Sequence, residues 1–93
     1  MTMMVKDPDS RIDFEFDWGV AYPDGQAVLA SVWAVTPDDA GAVAVVAAAH
    51  DLMQATVTLA GGVAGRVYRV TNRVTLSDGQ IDERSMMVRV EER

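Results

Sequence analysis

The chain has 93 residues, no cysteine and a formal charge of −6. That length supports one domain, and without cysteine there is no disulfide, thiolate metal site or thiol nucleophile. The acidic balance is the wrong sign for a nucleic-acid footprint, and no apolar run reaches the roughly 18 uncharged residues of a membrane span.

In chain order, residues 1–11 read as a flexible N-terminal segment, and residues 12–93 as a single β-sandwich domain. The opening M-T-M-M-V-K-D-P-D meets Lys6 and Asp7 too early for a secretory leader, so synthesis in a cytoplasm is expected. Pro8, flanked by Asp7 and Asp9, marks a turn. From Ile12 to Trp18 apolar and acidic residues alternate: Ile12, Phe14, Phe16 and Trp18 make a buried row, and Asp13, Glu15 and Asp17 a wet one. Tyr22-Pro23-Asp24-Gly25 then reads as a type I or II turn. Val28 to Val35 is the next strand, with Leu29, Ser31, Trp33 and Val35 assigned to the core row. Val28, Ala30, Val32 and Ala34 on its other row are apolar too.

Thr36-Pro37 ends that strand, and an Ala/Val run follows as far as His50. Asp38, Asp39 and the alanines would suit a helix, but Gly41 and the valines at 43, 45 and 46 favour a strand, and strand is the reading adopted. Alternation returns from Thr56 to Leu59. Gly61, Gly62 and Gly65 form a corner, Tyr68 to Leu76 alternates again, and Asp78-Gly79 signals a hairpin into the last strand. A two-residue turn there would set opposite rows against each other. The pattern therefore calls for a three-residue loop or a nearby bulge, aligning Val70 with Val88 and Tyr68 with Val90. Six to seven short strands make this an all-β chain, an immunoglobulin-like two-sheet antiparallel β-sandwich, with Trp33 and Tyr68 at positions such domains favour.

Residue types able to carry chemistry are present, but their spacing argues against it. His50 and Asp51 are chain neighbours and diverge on a strand. Asp13 and Asp17 would stand roughly 13 Å apart, too far to share a cation or act as a glycosidase pair. The glycines at 61–65 lack the Lys-Ser/Thr of a phosphate loop, and Asp7, Asp9, Asp38 and Asp39 do not have calcium-loop spacing. No catalytic residue, cofactor site or metal site is assigned. Asn72 and Arg84 fall on the inner face, where burial demands hydrogen bonds; with Asp82 they form a candidate structural polar network, with Asp82, Asp17 or a corner carbonyl as expected partners. Two rows are candidate partner interfaces. One is the second apolar row Val28, Ala30, Val32 and Ala34, which soluble monomers seldom leave bare. The other is the last hairpin's outer row, Arg69, Thr71, Arg73, Met87 and Arg89.

K-D-P-D at 6–9, D-W at 17–18, W-A-V at 33–35, A-T-V-T-L-A-G-G at 55–62, G-R-V-Y-R-V-T-N-R-V-T at 65–75 and D-E-R-S at 82–85 together resemble the fibre-to-tail adaptor family of tailed-phage virion proteins. The resemblance is densest from 55 to 90 and thinnest at 40–50. It implies an immunoglobulin-like structural protein of the virion, without catalysis. Such a protein would be present in several copies of a symmetric assembly, contacting tail, neck or fibre proteins and neither nucleic acid nor membrane. A capsid decoration (cement) protein is the alternative. A carbohydrate or cell-surface binding module ranks lower, because the aromatic residues are assigned to the core or a turn.

Overall fold

A computed structural model describes residues 2–22 and 25–92. It is a two-sheet sandwich of seven strands: β1 (Thr2–Lys6), β2 (Arg11–Asp17), β3 (Val28–Thr36), β4 (Val43–His50), β5 (Gln54–Gly61), β6 (Val67–Leu76) and β7 (Ile81–Val90), with one helical turn, α1 (Trp18–Ala21). One sheet has the order β1-β7-β6-β3 and the other β2-β5-β4. All pairings are antiparallel except β1 with β7. The all-β, immunoglobulin-like class read from the sequence is the observed one, and the Ala/Val run forms a strand.

Between the sheets the core falls into two clusters. Phe14, Val57, Leu59, Tyr68, Val70, Met86 and Val88 fill one end; Trp18, Val28, Ala55, Val74 and Leu76 fill the other. Phe16 and Trp33 touch both and stack on each other at 5.5 Å. The Tyr68 hydroxyl accepts the Val63 N–H at 3.0 Å and ties down the glycine corner. At that corner Gly62 has φ +105°, and a Cβ there would stand 2.6 Å from Val90 Cγ2 and 2.9 Å from Val43 Cγ2. Only glycine fits the backbone and the space.

The structure corrects four local readings. The segment expected to be flexible contains a paired strand: β1, Thr2–Lys6, lies parallel to β7, with Met4 against the core. Lys6, fully buried, donates from Nζ to the Asp7 and Gly61 carbonyls, each at 2.8 Å. Burial pulls its pKa down, opposed by the charges of Asp7 and Asp9. A lysine in this sequence position gave no sign that it would be buried.

In the last hairpin, Leu76 N–H bonds Gln80 O at 2.8 Å, and Gly79, at φ +88°, donates to Leu76 O at 2.9 Å. The loop is therefore three residues, Ser77 to Gly79, one position earlier than expected. Tyr68 faces Val88 and Val70 faces Met86; the inner rows match, but each partner is displaced by two residues.

A register shift between Val28 and Ala30 reverses the start of β3. Val28 is buried in the core and Leu29 is exposed, because the irregularity turns one residue out of step. Finally, Trp18 closes the alternating row from within α1, beyond the end of β2. The expected turn at 22–25 falls partly on Pro23 and Asp24, outside the described residues.

Candidate partner interface

The candidate face is built by register. On the four-stranded sheet, β6 runs between β3 and β7, so side chains of one row line up across strands. Ala34, Thr71 and Ser85 form one such line, Val32, Arg73 and Glu83 the next, and Ala30, Thr75 and Ile81 a third. Towards the other end, Thr36, Arg69, Met87 and Met3 align, then Arg89 beside Val5. The two rows singled out in the sequence are thus one continuous outer face, apart from Val28, which the bulge takes into the core.

That face combines apolar and cationic groups. Ala30 and Ala34 are exposed beside Val32, which is 63% exposed, while Met3 and Val5 flank the far edge. Arg73 pairs with Glu83 at 3.7 Å and Arg89 with Glu91 at 2.9 Å, all well exposed; such pairs contribute little to stability. Thr71 and Ser85 share a hydroxyl hydrogen bond of 2.8 Å. Arg69, exposed between Thr36 and Met87, has no ion pair among the described residues.

Beneath this face lies the polar network. Asn72, fully buried, accepts from the Trp18 indole N–H at 2.9 Å and donates to Ser31 Oγ at 2.8 Å and Val32 O at 3.2 Å. Its partners are not the acids or corner carbonyl expected from sequence; they are a tryptophan and the inner side of β3. Arg84, facing Asn72 across the strands, lays its guanidinium over Trp18 at 4.6 Å and Phe16 at 5.9 Å, a cation–π arrangement. Asp82 accepts from the Tyr22 hydroxyl and from Glu83 N–H. That hydrogen bond is the main reason the Tyr22 pKa is raised. The three residues share a neighbourhood, but Asp82 bonds to Tyr22 and not to the other two. Asn72 anchors the back of β3 at the level of Ser31 and Val32, and so sets the attitude of the apolar outer row.

Trp18 reaches Asn72 because α1 turns the chain inward. Asp17 caps this turn, its carboxylate accepting Val20 N–H at 3.3 Å, while Trp18 and Gly19 donate to Met53 O at 2.8 and 3.0 Å. Alternation alone gave no notice of this turn, although an Asp before W-G-V-A is a fair cap signal.

At this end the sequence reading also missed a groove of about 650 Å³ between α1 and the 51–54 turn. Val20, Leu52 and Met53 are exposed there, and Asp17 and Asp51 stand at its rim. The Leu-Met pair inside a four-residue turn was the available signal. His50 is exposed, its Nδ1 3.1 Å from Asp51 O, and Asp13 accepts from Thr58. Of the aromatics that a glycan platform would need exposed, Trp18 and Tyr68 are buried and Tyr22 and Trp33 half-buried.

Two packed sheets, a tyrosine-tied corner and an apolar, arginine-bearing outer face define an immunoglobulin-like β-sandwich domain. The chain matches the family described as podophage GP4 fiber-tail adaptor protein gp77 over residues 6–89, and it belongs to that family. It is accordingly a structural adaptor protein of a phage. Among solved structures, the PKD domain from KIAA 1837 protein is similar, with a TM-score of 0.54 and 22% identity over 98% of this chain and 79% of that one. That likeness concerns the fold alone. No curated protein matches the chain.

Proposed function

We propose that this adaptor docks between the tail or neck of the virion and its fibres, in several copies of a symmetric assembly, through the outer face of the four-stranded sheet. The observation that carries the reading is the exposed row Ala30, Val32 and Ala34, continuous by register with Arg69, Thr71, Arg73, Met87 and Arg89. A solvated sheet face would alternate with polar residues here; an apolar strip bordered by arginines is the composition of a protein contact. The module is made in the host cytoplasm, works without catalysis, and touches neither nucleic acid nor membrane.

Val32→Glu and Arg69→Glu test this directly. Both sites are exposed, so each variant should keep the fold within about 0.5 kcal/mol. Binding to purified tails or fibres should weaken by about tenfold or more for a residue at the centre of a contact, and particles assembled with either variant should carry fewer fibres. Wild-type binding and fibre number in both variants would refute the docking face. Binding of the wild-type chain to fibreless capsid shells alone would favour a capsid decoration protein.

A further inference from the structure

The four sheet edges of the sandwich are not alike. In the four-stranded sheet the edges are β1, whose Lys6 is buried, and β3, which holds no charge but alternates exposed and half-buried from Ala30 to Thr36; in the other, β2 carries Arg11, Asp13, Glu15 and Asp17. Charges on an edge strand discourage a further strand from adding there. At the opposite edge of the second sheet lies β4, and from Ala40 to Ala49 the chain holds only Ala, Val and Gly. After Val43, which is buried, every residue of β4 through His50 is exposed, whichever face of the sheet it belongs to. The core therefore explains Val43 and nothing beyond it. Alanine is a poor strand former, so an exposed alanine-rich edge strand has no reason in the lone molecule. It has one if another backbone approaches closely.

We infer that β4 is a self-association edge: two copies of this chain join by antiparallel pairing of their β4 strands about a two-fold axis, extending each three-stranded sheet into one of six. The unpaired N–H and C=O groups of an edge strand take an extended strand as ligand. Three observations select a second copy. A chain of net charge −6 repels its own kind wherever carboxylates meet, and this edge brings none between Ala40 and Ala49. Val43 to Ala49 is all Val and Ala, so cross-strand pairs within it are small against small, with His50 of each copy at the end against a small residue of the other. Beyond the irregularity between Val45 and Ala47, the ladder from Ala47 to His50 on β5 is regular, and Ala47, Ala48, Ala49, Thr56 and Thr58 line a shallow hollow of about 100 Å³ beside it. The regular half of β4 is where the strands meet.

The test uses the intact chain. Light scattering after size-exclusion chromatography, across concentrations from about 1 µM to 1 mM, should show the mass double. Amide exchange at residues 44–50 should slow in step with it. Ala49→Lys, at an exposed position, brings two ammonium groups to the shared edge and should raise the dimer dissociation constant by about tenfold or more, with an unchanged melting curve at concentrations where both proteins are monomers. A monomer throughout the range overturns the inference. So does a dimer whose β4 amides exchange as in the monomer, or protection of β4 only after tail or fibre protein is added, which assigns the edge to another chain's strand. Should Ala49→Lys unfold the chain, the wild-type exchange data decide alone. The variants of the docking face lie on the other sheet, so the two readings fail separately.

Discussion

Replacing Asn72 with alanine isolates the polar network from everything else in the sandwich. The side chain is fully buried and bonds the Trp18 indole, the Ser31 hydroxyl and the Val32 carbonyl at 2.9, 2.8 and 3.2 Å. Trp18 is 1% exposed and has a single N–H to satisfy, so Asn72→Ala strands it, at a cost of about 1–3 kcal/mol. Ser31 is half-buried and recovers water, adding about 0.5–1 kcal/mol. The sum, about 1.5–4 kcal/mol, lowers the melting temperature by about 6–32 °C for a domain of this size. Urea denaturation gives the free energy, and a double-mutant cycle with Trp18→Phe gives the cause. Phenylalanine has no donor to strand, so Asn72→Ala in that background should cost about 1–2 kcal/mol less than in wild type. A single-variant loss under about 1 kcal/mol, or strict additivity in the cycle, would mean that the Trp18–Asn72 hydrogen bond does not hold this network together.

Two further outcomes follow from the geometry. Gly62→Ala forces a Cβ to 2.6 Å from Val90 Cγ2 at φ +105° and should cost about 2–4 kcal/mol in chemical denaturation, whereas alanine at an ordinary strand glycine is neutral or better. Asp51 accepts the Met53 and Gln54 N–H groups, each at 2.8 Å, which hold its pKa below the ordinary 3.8. With the folded value depressed, its contribution is present above the unfolded pKa and is lost as pH falls through the folded value. Asp51→Asn keeps an acceptor that does not titrate, so its stability profile between about pH 2 and 5 should be flatter than wild type; parallel profiles contradict the assignment.

Period-two patterning was enough to find the sandwich, because Ile12 to Phe16, Thr56 to Leu59 and Tyr68 to Leu76 each meet a core on one side only. It failed where one residue breaks step. The shift at Val28/Ala30 swaps the roles of Val28 and Leu29, and no composition signal marks it, since both are aliphatic. The last hairpin shows how parity and register separate: matching rows fixed the odd loop length, but either side of Asp78-Gly79 could supply the third loop residue. Lys6 was unreadable because its burial depends on two carbonyls, one of them 55 residues away in Gly61. The candidate interface was legible as two rows. Their union into one face depends on β3 lying beside β6, which follows from topology and not from either strand's sequence.

Docking through the outer face of the four-stranded sheet requires that this face be covered in the particle. Cryo-electron microscopy of the intact virion tests it most directly. Density for the sandwich is expected where fibres meet the tail or neck, with Ala30, Val32, Ala34 and Arg69 buried against a neighbouring protein. A sandwich seated on the capsid shell, or at the tail with this face open to solvent, contradicts it.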